Sequence, residues 1–274
     1  WHDLQPSGIP AVDYRISDPV LTGDGMAVEA GDEASVLLPT FYCHEVPEEE
    51  GTVAPLPMLR TGYPVFGSLN NPAKLSEGCL SLWRRVMEAV PDAHLMVKYK
   101  RYFQDPGIIA RIETALGTAS ERLIVLAADD DRTRHLDIWN RIDVALDPFP
   151  FNGSTTSFEA LWMGVPVVTL RGDRFVSRVG TSLLAALGEP DWIAETPAEY
   201  VEAARRLLAD PSRLAEIRAG LRNRLRQSAL MDPVRHARWM EAAYRIMVAR
   251  ARAGEAPAAI TAETLRETGH ADDR

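Results

Sequence analysis

From residue 65 onward, short β-branched runs alternate with stretches in which apolar side chains recur every three or four positions. The short runs predict strands at 65–69, 94–99, 122–126, 142–147 and 166–170. The longer spacing predicts helices at 76–90, 106–117, 133–140, 154–163 and 175–187. In the first of these, Cys79, Leu82, Trp83, Val86 and Val90 fall on one stripe, as in a helix that packs on a sheet. The run from Arg141 to Asp147 alternates and then turns apolar, which suits a parallel strand buried on both faces. Together the pattern predicts an α/β fold: a doubly wound parallel sheet, Rossmann-like, with C-terminal helices at 197–209, 211–227 and 233–252.

The flanks are less regular. Residues 1–60 hold a strand at 11–17, an apolar segment at 36–42 and a Pro/Glu-rich connector at 46–57, which reads as a crossover or a linker. Residues 253–274 are rich in Ala, Glu and Thr and predict a frayed, flexible tail. The main unit is then 61–252. No internal repeat is visible.

Composition narrows the function classes. A net charge of −9 over 274 residues lacks the basic footprint of a general nucleic-acid binder. No apolar stretch approaches the roughly 18 residues that a membrane span needs. Two cysteines, Cys43 and Cys79, suit reduced thiols in a cytoplasmic protein. The chain begins at Trp1 instead of Met, which predicts a piece of a longer protein.

The chemistry concentrates at Asn152-Gly-Ser-Thr-Thr-Ser-Phe-Glu159. A helix that opens there presents unpaired N–H groups and the positive end of its dipole, an anion site. Gly153 lets a phosphate approach the backbone, and Ser154, Thr155 and Thr156 add hydroxyl donors. Glu159 lies one turn beyond Thr155 on the same face, and as an acceptor it suits sugar hydroxyls. Phosphate first and ribose a turn later is the order in which a nucleotide would lie. The same cluster, taken alone, also suits an ordinary N-capped amphipathic helix. Lys74 follows the strand at 65–69 by five residues, at its carboxyl end, although a lone lysine is ordinarily a solvated surface group. Asp129-Asp-Asp131 could hold Mg²⁺ or Mn²⁺, but a solvated acidic turn is the better reading. Arg178 suits either a phosphate or a surface ion pair. Trp162 reads as core, and Gly164 as the residue that ends its helix.

Residues 143–187 resemble the C-terminal catalytic lobe of the protein O-GlcNAc transferase/SPINDLY family. Phe66-Gly-Ser-Leu-Asn-Asn-Pro-Ala-Lys74, Arg132-Thr-Arg-His-Leu-Asp-Ile-Trp-Asn140 and Ala11-Val-Asp-Tyr-Arg-Ile-Ser-Asp18 resemble further family segments in the family's order. The likeness covers roughly residues 1–250. It implies an inverting, metal-independent glycosyltransferase of the B-type, two-lobe fold, with no cofactor beyond a nucleotide-sugar donor. Residues 1–60 would then close the N-terminal lobe and cross to the C-terminal one. The resemblance makes Lys74 the cation that neutralises the departing diphosphate, and sets Asn71 beside it as an amide donor. It puts His135 against the nucleobase and Arg132 near base or phosphates. Animal relatives carry Lys where this chain has Arg132, and His where it has Ser154. The expected reaction is transfer of N-acetylglucosamine from UDP-GlcNAc to a protein Ser/Thr hydroxyl. Transfer from GDP-fucose, and a non-catalytic nucleotide-sugar-binding fragment, are the alternatives. A protein or peptide acceptor is implied, and no nucleic acid or membrane partner.

Overall fold

The computed structural model describes residues 7–23, 33–47, 50–126 and 132–267. Its first half runs β1 (Tyr14–Ser17), α1 (Pro19–Thr22), β2 (Ala34–Leu37), α2 (Met58–Thr61), β3 (Val65–Ser68), α3 (Glu77–Ala89), β4 (His94–Val97), α4 (Pro106–Leu116), β5 (Leu123–Val125) and α5 (Arg132–Asp137). The second half runs β6 (Val144–Leu146), α6 (Thr155–Trp162), β7 (Val167–Leu170), α7 (Val179–Leu187), β8 (Ile193–Ala194), α8 (Pro197–Ala209), α9 (Pro211–Arg226), α10 (Pro233–Ala253) and α11 (Ala262–Glu267). No described helix is long and apolar enough to cross a membrane.

Strands β3 to β8 form one parallel sheet in the order β5-β4-β3-β6-β7-β8. The chain winds outward from β3 in one direction, returns, and winds outward from β6 in the other. Between β3 and β6 the winding reverses, and open α/β sheets bind ligands at the carboxyl ends of the strands flanking such a point.

Alternate strand residues feed opposite faces, because successive side chains in a strand point to opposite sides. Phe66, Leu95, Val144 and Val168 pack with Trp83 of α3, Ile112 of α4 and Tyr200 of α8. Their neighbours Val65, Met96, Ala145 and Val167 pack with Phe158 and Trp162 of α6, Leu183 of α7 and Leu221 of α9. Each such side chain contributes about 1.5–3 kcal/mol when fully buried, so the two-faced sheet carries the lobe. Gly67 is needed for this packing, since a Cβ there would collide with Ile142.

The predicted elements appear in order, with shorter strands. The predicted helix 133–140 ends its α-helical part at Asp137 and finishes as a 3₁₀ turn, Ile138–Arg141. The predicted helix 175–187 splits into a 3₁₀ turn, Phe175–Ser177, and α7. The residues after 253 differ most from expectation. Ile260 and Leu265 are wholly buried with Val36, Leu38 and Trp239. Ile260 also extends the small β1–β2 sheet, accepting from the Leu37 N–H at 2.7 Å and donating to the Ser35 carbonyl at 3.0 Å. Two apolar residues suffice to dock this segment, so it is no frayed tail as far as residue 267. The connector is docked as well. Arg218, 1% exposed, donates to the carbonyls of Ala54, Ile142 and Trp139 at 2.8, 2.9 and 3.1 Å. Asp143 accepts the Met58 and Val65 N–H groups at 2.9 and 2.8 Å.

Candidate functional site: a groove at the strand reversal

Lys74 reaches the reversal from β3. The chain leaves the strand through Asn70 and Asn71, whose Oδ1 accepts the Ala73 N–H at 3.0 Å and caps the short turn Pro72–Lys74. That turn swings Lys74 across the sheet's edge. Its Nζ donates to the Asn152 carbonyl at 2.7 Å and lies 4.3 Å from the centre of the Phe151 ring. Burial lowers the lysine's pKa, and the charge of Asp147 opposes that shift. Lys74 is therefore anchored on Asn152, two residues before Ser154, beside the opening of α6.

Asp147, at the end of β6, is the anion built into this loop. It accepts the Gly153 N–H at 2.6 Å, Ser157 Oγ at 3.1 Å and Thr169 Oγ1 at 2.7 Å. Burial pushes its pKa up to about 6, against the pull of these donors and of Lys74. Burying a carboxylate costs several kcal/mol. Three bonds to a charged acceptor, at about 1.5–3 kcal/mol each, offset it. The expectation for Gly153 is corrected here. Its N–H is committed to Asp147, and a Cβ would collide with Ser157 Oγ. Glycine is required because the protein's own carboxylate and hydroxyl crowd the backbone, not because a phosphate must come close.

The donors left for a ligand follow directly after Gly153. Ser154 occupies the N-cap of α6 without capping it through its side chain. Thr155 is exposed and Thr156 half-buried. The first-turn N–H groups have no acceptor inside the helix, by the geometry of any helix start. The hydroxyls expected around an anion are thus placed around one opening, next to Lys74.

One turn into α6, Glu159 meets His135, the two residues expected beside ribose and base: His135 Nε2 and Glu159 Oε2 are 3.0 Å apart, and the carboxylate is buried. A carboxylate removed from water takes a partner, and the facing helix α5 supplies one. His135 Nδ1 lies 3.3 Å from Nζ of Lys98, itself only 1% exposed. The Arg132 side chain and Asp129–Asp131 lie outside the described residues.

Three groups in the groove escaped sequence reasoning. Lys98 ends an apolar strand run, His-Leu-Met-Val-Lys, and a charge at that point was the same signal that singled out Lys74. Tyr42 and His44 carried no periodic signal. The His44 ring stacks on Phe158 with centroids 4.0 Å apart, and Tyr42 stacks on His44 at 6.0 Å. Burial lowers the His44 pKa to about 4, with Glu159 pulling the other way. Arg178 is engaged with backbone carbonyls, donating to those of Gly172 and Val20 at 2.8 and 3.1 Å. Trp162 is core as expected, and Gly164 takes the left-handed conformation, φ +76°.

A six-stranded, doubly wound parallel sheet with a helix start and a lysine at its reversal defines the class, a Rossmann-like lobe of the kind found in B-type glycosyltransferases. The profile of glycosyl transferase family 41 matches residues 59–240, and the chain belongs to that family. It is 35% identical over 264 residues, 95% of its length, to the probable UDP-N-acetylglucosamine–peptide N-acetylglucosaminyltransferase SPINDLY of Hordeum vulgare. It is 34% identical over 179 residues, 65% of its length, to the UDP-N-acetylglucosamine–peptide N-acetylglucosaminyltransferase of Caenorhabditis elegans. It covers only 28% and 15% of those two proteins. Among solved structures, a mutant of the Thermobaculum terrenum O-GlcNAc transferase superposes with a TM-score of 0.78 at 37% identity. That match covers 88% of this chain and 46% of the other.

Proposed function

We propose that this chain is the donor-binding lobe of an inverting, cytoplasmic glycosyltransferase that moves N-acetylglucosamine from UDP-GlcNAc to protein Ser/Thr hydroxyls. The observation that carries the reading is the meeting of Lys74 with the open first turn of α6 at the strand reversal. The diphosphate would take the N–H groups and hydroxyls at Ser154, Thr155 and Thr156, with Lys74 as counter-charge and the Asn71 amide as a further donor. The ribose would lie on Glu159 and the base by His135, with Arg132 nearby.

In the reaction the acceptor oxygen attacks the anomeric carbon from the face opposite the diphosphate. The bond from that carbon to the diphosphate oxygen breaks, the electron pair leaves with UDP, and the hydroxyl proton passes to a base outside this lobe. Charge grows on the departing diphosphate, so a fixed cation and fixed N–H dipoles favour the transition state over the ground state. The same groups supply the positive potential without a metal. The chain spans about 28% of the length of the plant relative described above.

Calorimetric titration with UDP and with GDP, followed by a donor-turnover assay on the intact protein, tests this. Tighter binding of UDP, with release of UDP from UDP-GlcNAc, is expected. Preference for GDP would move the donor to GDP-fucose, binding without turnover would make the lobe a non-catalytic binder, and binding of neither nucleotide would overturn the reading.

A further inference from the structure

The nucleoside end of the groove contains a three-membered chain that the proposed reaction does not itself require. Lys98 stands at the carboxyl end of β4 with its side chain buried, and its Nζ lies 3.3 Å from Nδ1 of His135. The other ring nitrogen lies 3.0 Å from the Glu159 carboxylate. A lysine ammonium has three donors and no acceptor, and a carboxylate has acceptors only. The imidazole between them can satisfy both contacts in one way, with Nδ1 accepting from Lys98 and the proton on Nε2 donated to Glu159.

We infer that Lys98 is a positioning residue for this site: its ammonium holds His135 in the Nε2-protonated tautomer and so fixes the ring and the Glu159 carboxylate that the nucleoside meets. The inference rests on the proposed placing of base and ribose at His135 and Glu159 only for its effect on binding. The tautomer itself follows from the three side chains. Lys98 touches no ligand in this scheme and acts through His135. Without it, Nδ1 loses its donor, the ring is free to flip or to shift its proton, and Glu159 loses a fixed partner.

Two readouts test this, the first on this chain and the second on the intact protein that contains it. The first is the pair of His135 ring ¹⁵N resonances. The unaltered protein is expected to show Nε2 protonated and Nδ1 bare, Lys98→Met to show averaging between tautomers, and Lys98→Arg to restore the original pair. The second is UDP binding and turnover. Lys98→Met should raise the Kd for UDP and the donor KM about tenfold, the loss of one charge-assisted bond, with kcat within about twofold. Protonated Nδ1 in the unaltered protein would overturn the inference without any substitution. So would an unchanged pair in Lys98→Met, or a fall in kcat with KM unchanged. If Lys98→Met fails to fold, the unaltered protein and Lys98→Arg still decide the tautomer. If the unaltered chain binds no nucleotide, the proposed function fails, while the resonances decide the role of Lys98 independently.

Discussion

The two ends of the groove are built on one helix, α6, and finished in opposite ways. At its N-terminus the protein's own anion, Asp147, takes the Gly153 N–H and the Ser157 hydroxyl, and Lys74 is held on the Asn152 carbonyl. The turn beyond, with exposed Thr155, is left open. One turn further, Glu159 and His135 are bound to each other. The proposed phosphate end thus offers donors that the helix itself leaves without acceptors, whereas the proposed nucleoside end offers groups already held by one another. Preorganised donors suit the place where charge develops in a reaction. A buried acceptor held in place by its own partners suits recognition, because a ligand lacking the matching hydroxyls leaves it poorly paired.

Substitutions at the two ends should therefore separate in kind as well as size. Lys74→Ala in the intact protein is expected to lower kcat about 10²-fold with a smaller change in donor KM, as for removal of a transition-state donor. A steady-state donor-turnover assay reads both parameters, and a KM effect with kcat intact would place the phosphate end in ground-state binding.

Between the ends, His44 braces α6 through Phe158, and its effect is on stability and pH. Its folded pKa of about 4 lies below the ordinary 6.5, so the unfolded chain takes up the proton first. The stabilisation is complete above about pH 6.5 and is lost as pH falls toward 4. Chemical denaturation should show His44→Phe spared about 2 kcal/mol of the loss that the unaltered chain suffers between pH 7 and pH 5. Asp143 and Asp147, both raised to about 6 by burial, work in the other direction. They take up protons in the folded state first and add stability as pH falls through 6. The difference between variant and parent isolates the histidine.

At the nucleoside end, Glu159→Gln should weaken UDP and uridine alike by about tenfold, the loss of a charged acceptor. A loss confined to UDP would move Glu159 to the phosphate end. The smallest effect is expected at Thr155→Ala, about threefold in UDP affinity, because one neutral hydroxyl bond contributes near 0.5–1.5 kcal/mol beside backbone donors that remain.

The sheet and its helices were legible because burial on two faces imposes a pattern, as Trp83 on α3 and Val144 beside Ala145 in β6 illustrate. Elements too short to carry a period, β8 at Ile193–Ala194 and α1 at Pro19–Thr22, gave no such signal. Neither did Ile260 and Leu265, two apolar residues in a polar stretch whose burial is set by α10 and β2 far away in sequence. In the site, spacing brought Ser154, Thr155 and Thr156 to one helix start, and the strand-to-lysine distance brought Lys74 beside them. Which groups the protein keeps for itself was not legible. That Gly153 serves Asp147 across a tight loop, that Glu159 is tied to His135, and that the His44 ring stacks on Phe158 are contacts that no local period encodes.

The grip on a diphosphate is tested most directly by the ratio of UDP to uridine affinity, measured by calorimetry on the unaltered chain and on Lys74→Ala. UDP is expected to bind at least about a hundredfold more tightly than uridine, with the gap narrowed by the substitution and uridine binding unchanged. Equal affinity for UDP and uridine in the unaltered chain would contradict it.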